Sequence, residues 1–342
     1  MADTPESLAT ITNAMSQNFR PRVVRTFNAR AQLLRSLPIV AGEGKNIAFD
    51  AEFNDSGSIA EAFADGADVA NYGSDVHLPA TLGWALYRSN FSVTDLARSV
   101  ARTSRSPDGM LRLMARNFEN SIRKLAAYLN SEAYVGPGSG NRMLGLDGQL
   151  VDTGTVLGID KSTYSGWRAK VIDPGSLTAP TIALLRDDIS AIYDACGESP
   201  DVAFCPTAVW NKIASLFQES RRLVQDVQTA RGLIRLDGSA GAIEIDGCVF
   251  MKDKDATANR IYYLNSNYVR FEYLPQQDEG DMLPEAAQMV DLDDGYGAFP
   301  LGMKTYPIAR VGARRKVSTQ VFLNLVVEKP NACGIRKNVA TT

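Results

Sequence analysis

"SPDGMLRLMARNFENSIRKLAAYLNSEAYVGPGSGNRMLG", residues 106–145, holds the strongest periodic segment of the chain. Leu111, Met114, Phe118, Ile122, Leu125 and Leu129 recur three or four residues apart, which places them on one face of an α-helix. Ser106 suits the N-cap and Pro107 the first helical position, where a missing N–H costs nothing. Gly136 and Pro137 suit the stop. The spacing predicts a helix over 107–134, a rod of about 40 Å at about 1.5 Å per residue. The glycines that follow invite comparison with a phosphate-binding loop. Such a loop follows a strand and opens a helix, so that free amides face the anion. Here Gly136, Gly138 and Gly140 follow a helix C-terminus, whose dipole repels phosphate. The lysine-serine or lysine-threonine pair of a nucleotide-binding loop is missing as well. The stretch therefore reads as a helix exit, with glycines where a Cβ would clash in a sharp turn.

Upstream, residues 46–93 read as two strands around an irregular stretch. Ile47, Phe49 and Phe53 alternate with Ala48, Asp50 and Glu52; Leu78, Leu82, Trp84 and Leu86 alternate with small or polar residues. Period two with one apolar face marks half-buried strands. Between them lies "NDSGSIAEAFADGADVANYGSD" (54–75), too long for a tight hairpin; such loops are usually functional or mobile. Residues 1–45 form an arm with no core of its own, broken by Pro21 and closed by Pro38. Because an isolated two-stranded ribbon is marginal in water, the face of Leu82, Trp84 and Leu86 is expected to lie on an adjacent subunit.

Downstream, a second helix is marked by Ile182, Leu185, Ile189, Ile192 and Tyr193 and stopped by Gly197. "DVAFCP" is a buried-type strand. Val209, Ile213, Leu216 and Phe217 mark a third helix from about Pro206. The rest is mostly strand: 233–236, 242–251, 260–264, 269–274, 289–292 and 318–328. Strands and helices do not alternate regularly, so α+β fits better than a doubly wound parallel sheet.

The chain has 342 residues, 45% hydrophobic and 22% charged, an ordinary globular composition. No apolar stretch approaches membrane-spanning length, and the first residues lack the basic start and apolar core of a secretory signal. Cys196, Cys205, Cys248 and Cys333 lie far apart without a C-x-x-C pair and read as free thiols. Net charge is −3, unevenly placed. Residues 7–42 hold Arg20, Arg22, Arg25, Arg30 and Arg35 and no acid; residues 310–342 hold seven basic residues against Glu328. The body between is acidic. Basic ends on an acidic body can contact nucleic acid or a neighbouring copy of that body. A dedicated DNA-binding domain would be basic overall.

Residue patterns for catalysis are thin. "VDTGT" (151–155) and "DSGS" (55–58) match the surroundings of a catalytic aspartate in aspartic proteases, and shared-proton chemistry needs two carboxylates together. Asp152 and Asp55 would be that pair. Yet Asp55 sits in a polar run, and the predicted helix separates the motifs; both read as turns. His77, the only histidine, heads a strand. "DKDATAN" (253–259) and "DLDDG" (291–295) lack calcium-loop order and read as turns. No catalytic, cofactor or metal residue is assigned.

The order of these features resembles the major capsid proteins of tailed bacteriophages, with the Hong Kong 97-type fold. "GSIAEAFADGADV" (57–69) is similar to the tip of that family's extended loop (E-loop). "LPATLGWALYRSNFSVTDLARS" (78–99) is similar to its return strand and the short helix after it. Residues 106–145 resemble the spine helix and its exit. "LTAPTIALLRDDISAIYDACGESPDVAFCPTAVWNKI" (177–213) resembles the helix, strand and helix of the axial (A) domain. "AIEIDGCVFMKDKDATANRIYYLNSNYVRFEY" (242–273) resembles the strands returning to the peripheral (P) domain. The resemblance implies an N-terminal arm at 1–45, an E-loop at 46–93, peripheral-domain parts at 94–176 and 267–342, and an axial domain at 177–266. It implies a virion shell subunit, assembled in the host bacterial cytoplasm into hexamers and pentamers around a double-stranded DNA genome. Its partners would be other copies of itself, a portal protein, a scaffolding protein and cement or decoration proteins. DNA would be touched only non-specifically, and no membrane or cofactor is implied. The sequence departs from the founding member in starting almost at the arm, so scaffolding is expected from a cleaved segment or a separate protein. Lys45, the only lysine before Lys124, is a poor candidate for a loop crosslink. An encapsulin-like compartment shares the fold and is the first alternative; the aspartic protease is the second.

Overall fold

The computed structural model describes residues 31–53, 65, 76–96, 99, 108–216, 226–229, 232–235, 243–275, 289–291, 298–300, 304–308, 312 and 314–341. These form an α+β chain in two compact units. The division falls within the long helix, at Asn130/Ser131, and within the longest strand, at Leu323/Asn324.

The smaller unit contains Leu86–Asn130 and Tyr273–Leu323. The helix expected over 107–134 runs Asp108–Val135, and Ile122, Leu125 and Leu129 are buried as the spacing predicts. Strand Ala85–Thr94 lies against it. Ser121 donates its hydroxyl to Ser89 Oγ at 2.7 Å, and the rings of Tyr87 and Tyr128 meet edge-on at 5.8 Å. The strand pairs with Arg314–Val327, which also pairs antiparallel with Lys304–Ile308, Thr305 opposite Thr319. The sequence reading missed Lys304–Ile308, where Pro307 breaks the apparent strand pattern.

The larger unit contains Gln32–Ala85, Ser131–Glu272 and Asn324–Thr342. Its centre is a six-stranded mixed sheet, ordered Ile243–Ile245, Cys248–Lys252, Val202–Cys205, Ile261–Leu264, Gly334–Arg336 and Lys170–Ile172. Helices Ile182–Cys196 and Thr207–Leu216 pack their apolar residues on it: Leu185, Ile189, Ile192, Val209 and Ile213 share one core with Phe250, Ile261 and Tyr263. Thr181 caps the first helix by accepting from Leu184 N, and Gly197 ends it with a left-handed φ of 75°. The strand expected over 242–251 is instead a hairpin. Asp246 and Gly247, with φ of 48° and 81°, turn the chain between Ile245 and Cys248; Asp-Gly is the residue pair such a two-residue turn favours.

Two helical faces differ from expectation. Tyr193 is 51% exposed, while Asp188 takes the inward position beside Leu185, Ile189 and Ile192. Leu216 is partly exposed and Ala214 is buried in its stead. In both cases a large apolar residue at the stripe's edge was read as core.

Candidate assembly surfaces

The hairpin is built from Asn46–Phe53 and Val76–Gly83, paired antiparallel from Asn46 opposite Gly83 to Phe53 opposite Val76. It pairs with no other strand among the described residues. Its apolar face is nevertheless covered by its own chain. Phe49, Ala51, Phe53, Leu78, Ala80 and Leu82 pack on Val156, Leu157, Ile159 and Trp167. The Phe53 ring lies 4.8 Å from Tyr164 and 5.9 Å, edge-on, from Trp167. Thr81 N donates to Leu157 O at 2.9 Å. The opposite face, with Ala48, Asp50, Glu52, His77, Pro79 and Thr81, is exposed.

Three buried polar side chains hold this seat in place. Lys161 is fully buried, and its Nζ donates to Gln149 O at 2.9 Å and Val151 O at 2.6 Å. Burial lowers its pKa to about 8, against a smaller opposing pull from Asp152. Gln149 Nε2 donates to Leu144 O and Leu325 O, and its Oε1 accepts from Val327 N. Asn324 Oδ1 accepts from Leu144 N and Leu325 N, and its Nδ2 donates to Gly83 O at 2.8 Å. The hairpin root, the glycine exit and the last long strand thus meet at two amides. Asn324 left a legible signal: it is a lone amide inside the apolar run Val321–Val327, and a buried amide has to find partners. Gln149 and Lys161 left none.

Leu82, Trp84 and Leu86 do not share one face. The return strand breaks at Trp84, between Val76–Gly83 and Ala85–Thr94. Even-numbered residues face the core before the break; Ala85 and Tyr87 do so after it. Leu82 packs within its own chain, and Leu86 is 47% exposed. Trp84 spans the hairpin root: its Nε1 donates to Gly44 O at 3.1 Å. A Cβ at Gly42 would sit 2.6 Å from Trp84 Cη2, so only glycine lets the ring lie there.

The glycine-rich exit is a tight, exposed loop closed at its base. Gly138 N donates to Met143 O and Gly145 N to Gly136 O, both near 3 Å. Arg142 makes a bidentate ion pair with Glu132. A Cβ at Gly136 would lie 2.2 Å from Met143 O, and one at Gly145 would lie under 3 Å from three backbone atoms. The architectural reading is therefore carried by Gly136 and Gly145, where backbone crosses backbone, more than by Gly140, beside which space is open.

At the other end of the hairpin's first leg, residues Gln32–Ser36 form a short helix. Leu33, Leu34 and Leu37 are fully buried. Arg35 is part-buried there; Arg20, Arg22, Arg25 and Arg30 lie outside the described residues. Asp253, expected in an open turn, is buried and accepts from Tyr134 Oη, Leu33 N and Asp255 N. Asp291 ends strand Met289–Asp291. Asp152 stands exposed on a turn, and Asp55 lies outside the described residues. Cys205, Cys248 and Cys333 are buried free thiols, and burial pushes that of Cys333 up to about 12.

Solved structures match this architecture across nearly its whole length. The cyanophage A-1(L) capsid asymmetric unit superposes with a TM-score of 0.71 at 17% identity, over 96% of this chain and 98% of that one. The fold is the Hong Kong 97-type capsid fold. The SrpI encapsulin of Synechococcus elongatus PCC 7942 superposes at 0.60 and 12% identity, over 99% and 97%. The capsid of a native GTA particle does so at 0.59 and 11%, over 95% of each chain. No family model and no curated protein matches by sequence. At such low identity the likeness is one of backbone fold.

Proposed function

We propose that the chain is the major capsid protein of a tailed bacteriophage, assembling into hexamers and pentamers of an icosahedral shell around double-stranded DNA. The observation that carries this reading is the end-to-end match to a cyanophage capsid subunit, 96% of one chain against 98% of the other. The partners are other copies of the chain, with portal, scaffolding and cement or decoration proteins, in the virion and, during assembly, in the host cytoplasm. Arg20, Arg22, Arg25, Arg30 and Arg35 contact acidic surface on a neighbour or packaged DNA, and Leu86 is the exposed apolar contact of the return strand. Trp84 and Leu82 serve the interface indirectly, by setting the hairpin on its seat.

An encapsulin-like compartment is the second reading, favoured by the match to SrpI over 99% of this chain. The aspartic protease reading has little physical support: Asp152 lies on an exposed turn, whereas sharing a proton needs a second carboxylate about 3 Å away. Electron microscopy and light scattering of the purified full-length chain test the proposal. Closed megadalton shells are expected; a stable monomer at micromolar concentration and physiological salt refutes it. Nucleic acid inside native particles distinguishes the phage shell from the enzyme compartment.

A further inference from the structure

We propose that the open edge of strand Asn46–Phe53 takes the basic segment 20–30 of a second copy as an added strand. The hairpin has two edges, and they differ. Thr81 lies opposite Ala48, yet its backbone N–H donates to Leu157 O at 2.9 Å. Thr81 and Ala48 are therefore a non-hydrogen-bonded pair, and both turn their backbone N–H and C=O groups away from the hairpin's own ladder. Strand period is two, so the pairs Asp50–Pro79 and Glu52–His77 face outward in the same way. On the Val76–Gly83 side that edge is closed. Leu157 O accepts the Thr81 amide, and Pro79 has no N–H to offer. Proline is a common device for blunting an exposed edge. On the Asn46–Phe53 side the edge is open. Ala48, Asp50 and Glu52 are exposed. No strand among the described residues pairs there, and their outward N–H and C=O groups have no hydrogen-bond partner among those residues.

A strand edge with unmatched donors and acceptors is a template for an extended segment, and its side chains select which one. Asp50 and Glu52 make this edge acidic. The same edge of a second copy is a poor partner: antiparallel pairing would set these carboxylates against their own counterparts, and like charges across strands are destabilising. Residues 20–30, RPRVVRTFNAR, are complementary. They carry four arginines and no acid, and Val23, Val24, Thr26 and Phe27 are residue types that suit a strand. A chain's own arm enters the fold at Gln32, beside Met251 of the central sheet, whereas the hairpin is seated on Val156–Trp167. This favours the arm of a neighbouring copy over the chain's own. The proposal rests on the shell reading for the presence of neighbouring copies, and gives the arm arginines a defined acceptor.

Photo-crosslinking of the assembled full-length chain tests this, with Ala48→p-benzoylphenylalanine placing the probe on the exposed edge and leaving both carboxylates. Irradiation should give a covalent species of twice the chain mass whose joined peptide maps to residues 20–30. A 20–30 adduct at single-chain mass, which would mean the chain's own arm, or a dimer joined elsewhere, would overturn the proposal. In the same background, Asp50→Asn with Glu52→Gln should lower the dimer yield about three- to tenfold, the scale of losing two exposed ion pairs; an unchanged yield would overturn the charge argument. Asp50→Pro spares the hairpin ladder, since that N–H points away from it, and should lower the yield further than Asp50→Asn does, with circular dichroism unchanged. Equal yields for these two variants would rule out backbone pairing. Electron microscopy of the same sample keeps the two readings apart: closed shells without the 20–30 dimer overturn this proposal alone, and a chain that stays monomeric overturns both.

Discussion

Replacing Asp188 with alanine should cost the larger unit most of its stability, and removing its partner as well should give much of it back. Asp188 and Arg336 are 2% and 7% exposed and form a bidentate pair. Tyr263, fully buried, donates its hydroxyl to the same carboxylate at 2.9 Å; burial, with Asp188 second, pushes that hydroxyl well above its usual range. In Asp188→Ala the guanidinium stays buried without its counter-charge, at a cost of about 3–5 kcal/mol. The Tyr263 hydroxyl loses its acceptor, worth about 1–3 kcal/mol. The two losses share one network and do not add fully, so about 4–6 kcal/mol is expected. A domain has about 5–15 kcal/mol in all, so the variant should be marginal. In Asp188→Ala/Arg336→Met no charge is left behind, and such neutral replacements are often tolerated. The double variant should regain about 2 kcal/mol or more over the single one. Urea titration of the full-length chain checks this, with Trp210, which packs on the same core, among the fluorescent reporters. A single-variant loss below about 1 kcal/mol, the scale of a surface ion pair, would refute the reasoning. So would a double variant no more stable than the single.

Other outcomes are equally open to measurement. Lys161 has its pKa lowered from 10.5 to about 8, so the unfolded chain binds more protons between those values and stability should rise with pH across that window. The full penalty below pH 8 is about 3 kcal/mol; thermal melts of Lys161→Met should lose the alkaline rise, and a wild-type melting temperature flat from pH 8 to 10.5 would count against it. Gly145→Ala should destabilise by about 3 kcal/mol or more, since its Cβ meets only backbone, and Gly140→Ala far less, the strain of its φ of 63° apart; equal melting temperatures would overturn the reading of the exit. Leu86→Asp should fold normally by circular dichroism yet impair shell formation in sedimentation, whereas Leu82→Asp should destabilise the subunit itself; the opposite pattern would remove Leu86 as an interface residue. Replacing Arg20, Arg22, Arg25 and Arg30 with Gln should lower particle stability most at low ionic strength; a salt-independent difference would mean that these arginines are merely solvated.

Features governed by local periodicity were legible in the sequence. The long helix needs only its three-four spacing and a terminal glycine, and its limits differ from the expected ones by a single residue. The hairpin strands and the helix over 182–196 follow from period and capping in the same way. The fold class followed from element order, because order survives when side chains diverge. The partner of each face was decided only by tertiary structure. Leu82 read as an uncovered apolar residue because the segment that covers it, Val156–Trp167, lies far along the chain and has no periodic signature. Trp84 read as sharing one apolar face with Leu82 and Leu86 because a one-residue break that reverses strand parity leaves no mark on alternation. The burial of Asp188, Asp253 and Lys161 left no mark on the sequence, since burial of a charge depends on partners that arrive from elsewhere: Arg336, Tyr134 and the carbonyls of Gln149 and Val151. Apolar spacing is a property of neighbours in sequence, and compensation of a buried charge is a property of neighbours in space.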